Sequence, residues 1–400
     1  MRILLVNDYG TLVGGAETIV FGLRDSLRAR GHDVRVFTSY ARSSDGTLLA
    51  DDRCFGTTSR WRTLLQCGNL PAFTAIRKAI ARFRPDVVHV NLYLTQLSPL
   101  IAPALADVAA VYYAQWYRAI CPIGTRLRPD RSICNSPAGT ACLQAGCVPS
   151  WDWPPLMLQM ALANGWGTRF TRVAAISRAV ADRLAQFGAA HLRNAKVLYP
   201  GTPVVEPREY LSEEPTAVFA GRLVPEKGVD VLLRAFAQVA VAHPAGRLIV
   251  IGDGPQRQAL ERLTGTLGLD DRVVFRGQMC HADTLAAVRN AWITCAPSLW
   301  EEPFGMSVAE AQMHGVAVVA SRAGGLAEIV EDGATGYLVP PGDVPALAAR
   351  LDEIFSTREA ARSMGLKGHA LAVERFSLDG FAGRFEAVYR DAIAAHGGVA

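Results

Sequence analysis

Short continuous apolar runs alternate along this chain with stretches whose apolar positions recur every three or four residues, a pattern of buried strands between amphipathic helices. Arg2 to Asn7 is too evenly apolar for a half-exposed strand and predicts a central parallel one. The loop Asp8 to Gly15 follows. Helical periodicity then runs from Ala16 to Arg30 and stops at Gly31, and a second strand is predicted at Asp33 to Thr38, completing a βαβ unit. Between residues 61 and 84, Arg62, Arg77, Lys78, Arg82 and Arg84 are interspersed among apolar positions, and Pro71 interrupts any single helix there. Further strands are predicted at Val87 to Asn91, Ala109 to Ala114 and Arg172 to Ser177, the last leading into a helix from Arg178 to Gly188.

Tyr199-Pro200-Gly201-Thr202-Pro203, followed by Pro207 and Pro215, reads as a linker, after which the same grammar restarts. Strands are predicted at Thr216 to Ala220, Leu248 to Gly252, Val273 to Gly277, Trp292 to Ala296 and Val316 to Ser321. Helices are predicted at Val229 to Ala242, from Gly305 to Gly315, around Leu326 to Glu331 and from Asp343 onward, and Gly333 to Pro341 reads as a turn-rich connection. The last periodic segment, Asp379 to Ala395, has Phe381, Phe385, Val388 and Tyr389 on one face and needs a surface to pack on.

Composition changes this picture little. Four hundred residues suit two domains, and 50% hydrophobic with 20% charged residues is the make-up of a soluble globular protein. Met1 to Asn7 lacks the basic leader and long apolar core of a signal peptide, and no run approaches a spanning helix, so the chain reads as cytoplasmic. Charge is more informative: the net +4 divides into +11 for residues 1–200 and −7 for residues 201–400. The basic half suits a phosphate-bearing acceptor or peripheral contact with an anionic membrane at its inner face, or is simply a solvated surface. Nucleic acid is not expected, because no binding motif accompanies the charge.

Candidate chemistry gathers on loops that follow strands. In Pro297-Ser298-Leu299-Trp300-Glu301-Glu302-Pro303-Phe304-Gly305-Met306-Ser307-Val308-Ala309-Glu310, a loop leads into a helix whose first backbone N–H groups, at Gly305, Met306 and Ser307, favour a phosphate. Glu302 and Glu310 can both border one ligand there. Arg222 and Lys227, in the loop Gly221 to Gly228, can reach a diphosphate, or serve as surface ion pairs. Gly252-Asp253-Gly254-Pro255 turns sharply after its strand, and Arg276, Gly277 and Gln278 leave theirs where a base can lie. In the first half, Gly14 and Gly15 either admit a ligand to a helix N-terminus or only shape a turn. His89 and Asn91 stand near the carboxyl end of a strand. Cys121, Cys134, Cys142 and Cys147 fall in one segment poor in regular structure, with spacings of twelve, seven and four intervening residues. That pattern leaves open a structural zinc, a redox-sensitive site or free thiols.

The segments Gly221 to Gly228, Gly252 to Pro255, Pro297 to Gly305 with Glu310, and Ala323-Gly324-Gly325 through Gly336 to Asp343 resemble glycosyltransferase family 4, with the similarity densest from 216 to 343. The resemblance implies a GT-B fold: α/β, two Rossmann-like parallel-sheet domains facing across a cleft, with a C-terminal helix crossing back to the first. The expected domains are residues 1–203 for the acceptor, 204–376 for the nucleotide-sugar, and 377–400 for the returning helix. It implies retaining transfer of a sugar from a nucleotide-sugar to an acceptor hydroxyl, without an essential divalent metal or other cofactor. By carry-over, Arg222 and Lys227 bind the diphosphate, Glu302 the donor sugar, and Glu310 the ribose. Gly305, Met306 and Ser307 meet phosphates or sugar, and Gly14 and Gly15 face phosphate. Gly252, Arg276, Gln278 and Phe304 complete the donor set, with a UDP-sugar favoured over a GDP-sugar. His89, Asn91 and Gln115 are the acceptor candidates, for a glycan, lipid-linked or small-molecule acceptor. Many relatives carry His where Gln115 stands, and glutamine cannot act as a general base. A nucleotide-sugar epimerase, a phosphorylase and a catalytically silent binding subunit remain alternatives.

Overall fold

The computed structural model describes residues 1–12, 14–41, 49–59 and 62–398. Val13 of the first glycine loop, Arg42 and Trp61 lie outside them. The chain divides into two compact units, Met1–Gly201 with Leu378–Ala400, and Thr202–Ser377.

The first unit is built on seven parallel strands in the order β3-β2-β1-β4-β5-β6-β7. They are β1 Arg2–Tyr9, β2 Asp33–Ser39, β3 Asp52–Cys54, β4 Val87–Val90, β5 Ala109–Ala114, β6 Arg172–Ala175 and β7 Lys196–Val197. Helices α1 Gly15–Ala29, α2 Arg62–Leu65, α3 Leu70–Phe83, α4 Thr140–Gln144, α5 Trp153–Trp166 and α6 Arg178–Phe187 connect them. No single helix runs through residues 62–84: α2 ends at Leu65 and Pro71 sits in the first turn of α3, where its missing N–H costs no bond, and the Asn69 side chain caps that helix by accepting from Ala72 N at 3.0 Å. Periodicity does not reveal α5, because that helix is apolar on every side.

The second unit carries six parallel strands in the order β10-β9-β8-β11-β12-β13. Their ranges are β8 Thr216–Ala220, β9 Arg247–Ile251, β10 Val273–Gly277, β11 Ile293–Ala296, β12 Ala317–Ser321 and β13 Gly336–Val339. Its helices are α7 Val229–Ala242, α8 Arg257–Thr266, α9 His281–Asn290, α10 Met306–Met313, α11 Leu326–Ile329, α12 Val344–Ser356 and α13 Arg358–Phe376. The expected turn-rich connection at 333–341 is corrected here. Gly336–Val339 is a parallel strand paired with β12 in register from Val318 to Ser321, short enough that its flanking Gly333 and Pro340 mask it.

The final helix, α14 Leu378–Gly397, belongs to the first unit. Phe381, Phe385 and Tyr389 pack on Tyr113 of β5 and His89 of β4, with the His89 and Phe385 ring centroids 4.5 Å apart. Arg30, at the end of α1, meets Asp379 and Glu386 of α14 at 2.9 and 3.1 Å. The apolar face seen in the sequence has found its surface.

Candidate functional site

The strongest cluster lies at the carboxyl ends of β8 and β11. Lys227 Nζ stands 2.9 Å from both carboxylate oxygens of Glu302, which also accepts from Ser298 Oγ at 3.0 Å and Trp300 Nε1 at 2.9 Å. Burial alone would raise this carboxyl. The Lys227 charge and the hydrogen bonds from Lys227, Ser298 and Trp300 outweigh it and hold the group below its ordinary range, so Glu302 is an anion at neutral pH. Two loops therefore carry opposite charges to one point.

Close backbone packing fixes those loops. Gly252, at φ 127°, lies so near Gly221 that an added Cβ would stand inside the Gly221 carbonyl. Gly324, at φ 58°, meets the Glu302 carbonyl in the same way, and Gly325 N donates to that oxygen at 2.7 Å. Gly305, also left-handed at φ 118°, is the N-cap of α10, which begins with the N–H groups of Met306 and Ser307. Glu310 lies one turn further on. Its side chain is 15% exposed and 3.6 Å from His281 Nε2, and burial pushes its carboxyl up to about 7.

Other expected donor residues are placed differently. Arg222 is 68% exposed at the side chain and 3.7 Å from Glu226. Phe304 is buried and meets Phe376 edge-on at 5.5 Å, which makes it an anchor for the loop. Arg276 lines a cavity of about 310 Å³ with Ser212, Thr216 and Asn290, and Gln278 is exposed beyond the end of β10.

In the first unit, the carboxyl ends of β1, β4 and β5 hold a buried polar group. Gln115 Nε2 donates to Asn91 Oδ1 at 2.8 Å, Asn91 Nδ2 reaches Val6 O at 3.4 Å, and Gln115 Oε1 has no partner among the described residues. Gly14 is extended at φ −172° and caps α1, with Gly15 the first helical residue. His89 is elsewhere. It is wholly buried against α14, with Nδ1 2.6 Å from the Tyr389 hydroxyl, and burial lowers its pKa to about 3, so it is neutral and closed off from solvent.

Two acids escaped notice in the sequence. Glu17, in the first turn of α1, is buried and pushed up to about 7 chiefly by desolvation, although Asn7 and Gly14 donate to it. Asp8 is fully buried and accepts from Thr95 N at 2.9 Å, from the Thr95 hydroxyl, from Gln96 N at 2.8 Å and from Leu97 N at 3.0 Å. Position two residues after Gly14-Gly15 was the only signal for Glu17; nothing local marked Asp8.

Zinc is one of the three readings that the cysteine segment leaves open. Among the described residues no group of three or more His, Cys, Asp or Glu side chains is placed to hold a metal ion. Cys142 packs into an apolar cluster with Val148 and Leu156, Cys134 Sγ contacts Ser136 O at 3.7 Å, and Cys121 and Cys147 are likewise free thiols.

Residues 206–370 match the family model described as glycosyl transferases group 1, and residues 13–205 the one described as glycosyltransferase family 4. An alpha-D-kanosaminyltransferase of Streptomyces kanamyceticus is 29% identical over 45% of this chain and 47% of its own length. An MMP alpha-(1->4)-mannosyltransferase of Mycolicibacterium hassiacum is 35% identical over 48% and 47%. The chain thus spans about half the length of these curated relatives. Among solved structures, the sucrose-phosphate synthase of Thermosynechococcus elongatus superposes with a TM-score of 0.74 at 22% identity, covering 98% of this chain and 99% of that one. Anabaena HepE in complex with UDP and glucose gives 0.69 at 21% identity, covering 97% and 99%. Both are similar in fold.

Proposed function

The chain belongs to the group 1 and family 4 glycosyl transferases, and from that membership we propose that it moves a sugar from a nucleotide-sugar to an acceptor hydroxyl with retention of configuration. The observation that carries this reading is the Lys227–Glu302 pair, its carboxylate buried and its lysine partly exposed, beside the start of α10. During transfer, negative charge grows on the departing diphosphate. Lys227, Arg222 and the N–H groups at the head of α10 are fixed donors that stabilise it, while Glu302 accepts from sugar hydroxyls. Glu310 takes the ribose hydroxyls. Gln115 offers its unpartnered oxygen to an acceptor hydroxyl but cannot remove the proton, which the departing phosphate takes instead. The first unit binds the acceptor and the second the donor. A UDP-sugar is favoured over a GDP-sugar, in cytoplasmic synthesis of a polysaccharide, glycolipid or natural-product glycan.

The test is a panel of UDP-, GDP- and TDP-sugars with and without acceptors, following nucleotide release. Release from one donor, accelerated by an acceptor, is expected; silence across the panel would overturn the reading and favour a binding subunit.

Glu310 gives a pH signature. Ribose hydroxyls donate to its ionised form, whereas the empty site holds the carboxyl near 7, so donor affinity is expected to be level above that pH and to weaken by up to about tenfold per unit below it. A nucleotide-sugar has no phosphate proton titrating in this window. Calorimetry between pH 5.5 and 8.5 reads the slope, and Glu310→Gln is expected to flatten it. A wild-type profile without slope would remove Glu310 from the ribose.

A further inference from the structure

Helix α5 has no charged residue over its fourteen positions, and its outward stripe, Pro154, Leu158, Ala161 and Gly165, contains no polar side chain either. Other surface helices of this unit behave differently: α3 turns Arg77, Lys78 and Arg82 outward, and α6 turns Arg178 outward. Large apolar side chains stand exposed on and around α5, with Leu158 at 53% and Trp151 at 77%. Leu64 of α2, exposed at 60%, continues the patch, because the next turn of that segment is tied to α5: Cys67 Sγ reaches Pro155 O at 3.0 Å, and Gln159 Nε2 donates to Gln66 O at 2.8 Å.

The charge around this patch is positive on balance, with half-buried Asp152, at the head of α5, as the acid beside Trp151. Arg62 opens α2 and Arg169 follows α5, both exposed. Beneath the helix, Arg118 is buried and, among the described residues, bonded to neutral oxygens, Gln159 Oε1 at 2.9 Å and Gln66 Oε1 at 3.1 Å. An apolar ridge with a basic border is the chemistry of a segment that lies in the headgroup layer of a bilayer. At 1.5 Å per residue α5 is about 21 Å long, too short to span, and no described helix is long and apolar enough to cross a membrane. A second copy of the chain fits less well, since a two-fold contact through this ridge would bring two basic borders together.

We propose that the α5 face, with Leu64 and Trp151 beside it, docks the first unit onto the surface of an anionic lipid bilayer. The proposal is independent of the sugar-transfer reading. It is tested by cosedimentation of the full chain with vesicles of phosphatidylcholine alone and with about one third phosphatidylglycerol. Binding to the anionic vesicles is expected at low salt, with a loss of about tenfold or more when salt is raised to 0.5 M. Leu158→Asp with Leu64→Asp is expected to cut partitioning at least tenfold, and Arg62→Glu with Arg169→Glu comparably. Both residue pairs are exposed, so thermal unfolding is expected to be unchanged. Absence of vesicle binding, or equal binding by wild type and the Asp variant, would overturn the proposal. So would a concentration-dependent dimer, abolished by Leu158→Asp, in a protein that ignores vesicles.

Discussion

Glu302→Gln is expected to lower kcat/KM for the donor by about two to three orders of magnitude, roughly 3–4 kcal/mol of transition-state stabilisation. Glutamine keeps the shape of the side chain and one accepting oxygen. It also turns an N–H2 group toward a carboxylate position that now receives from Lys227, Ser298 and Trp300. At least one donor loses its partner, and the Lys227 ammonium loses its anion. The fold is expected to survive, because the Lys227 side chain is 20% exposed and its ammonium can turn to water. Lys227→Ala is expected to be similarly severe. Since the two groups touch, the double variant is expected to cost about as much as the worse single one rather than their sum. Steady-state kinetics with circular dichroism as the folding control reads all three. Unchanged turnover in both single variants would remove this pair from the chemistry.

Asp8→Ala is expected to destabilise the first unit by about 3–5 kcal/mol, because three backbone N–H groups and the Thr95 hydroxyl lose their acceptor. That segment, residues 95–97, follows β4 and is tied to the end of β1 chiefly through this carboxylate, with Gln96 Nε2 also donating to the Tyr9 hydroxyl at 3.3 Å. A drop of roughly 10 °C in the first thermal transition is the expected readout. Asp8→Asn retains one accepting oxygen and is expected to fall between. A shift within about 1 °C for the alanine variant would mean that water replaces the carboxylate.

Much of the fold was legible where strands are buried on both faces. Ala109–Ala114 and Thr216–Ala220 appear as expected, because central parallel strands leave unbroken apolar runs, and α7 spans the predicted Val229–Ala242. Legibility failed where periodicity is weak: β13 hides between turn residues, and α5 has no polar face to mark its period. The candidate site divides similarly. Glu302 and Glu310 stand out at their spacing in a loop and the helix after it. The ion pair joining Lys227 to Glu302 links residues 75 positions apart and depends on two strands lying side by side. His89 shows the limit most plainly: the strand pattern places it near a ligand-binding edge, but Tyr389, 300 residues later, claims it.

The Lys227–Glu302 contact also bears on which molecules the resting site turns away. A cation already answered by a carboxylate 2.9 Å away attracts a bare phosphate poorly, because separating the pair strands Glu302 between Ser298 and Trp300. An intact donor, on the proposed roles, brings phosphates for the lysine and hydroxyls for the glutamate together. The spent nucleotide brings only the first. The free protein is thereby biased against its own product, and weak competition by the nucleoside diphosphate against the donor is the kinetic trace such a bias leaves.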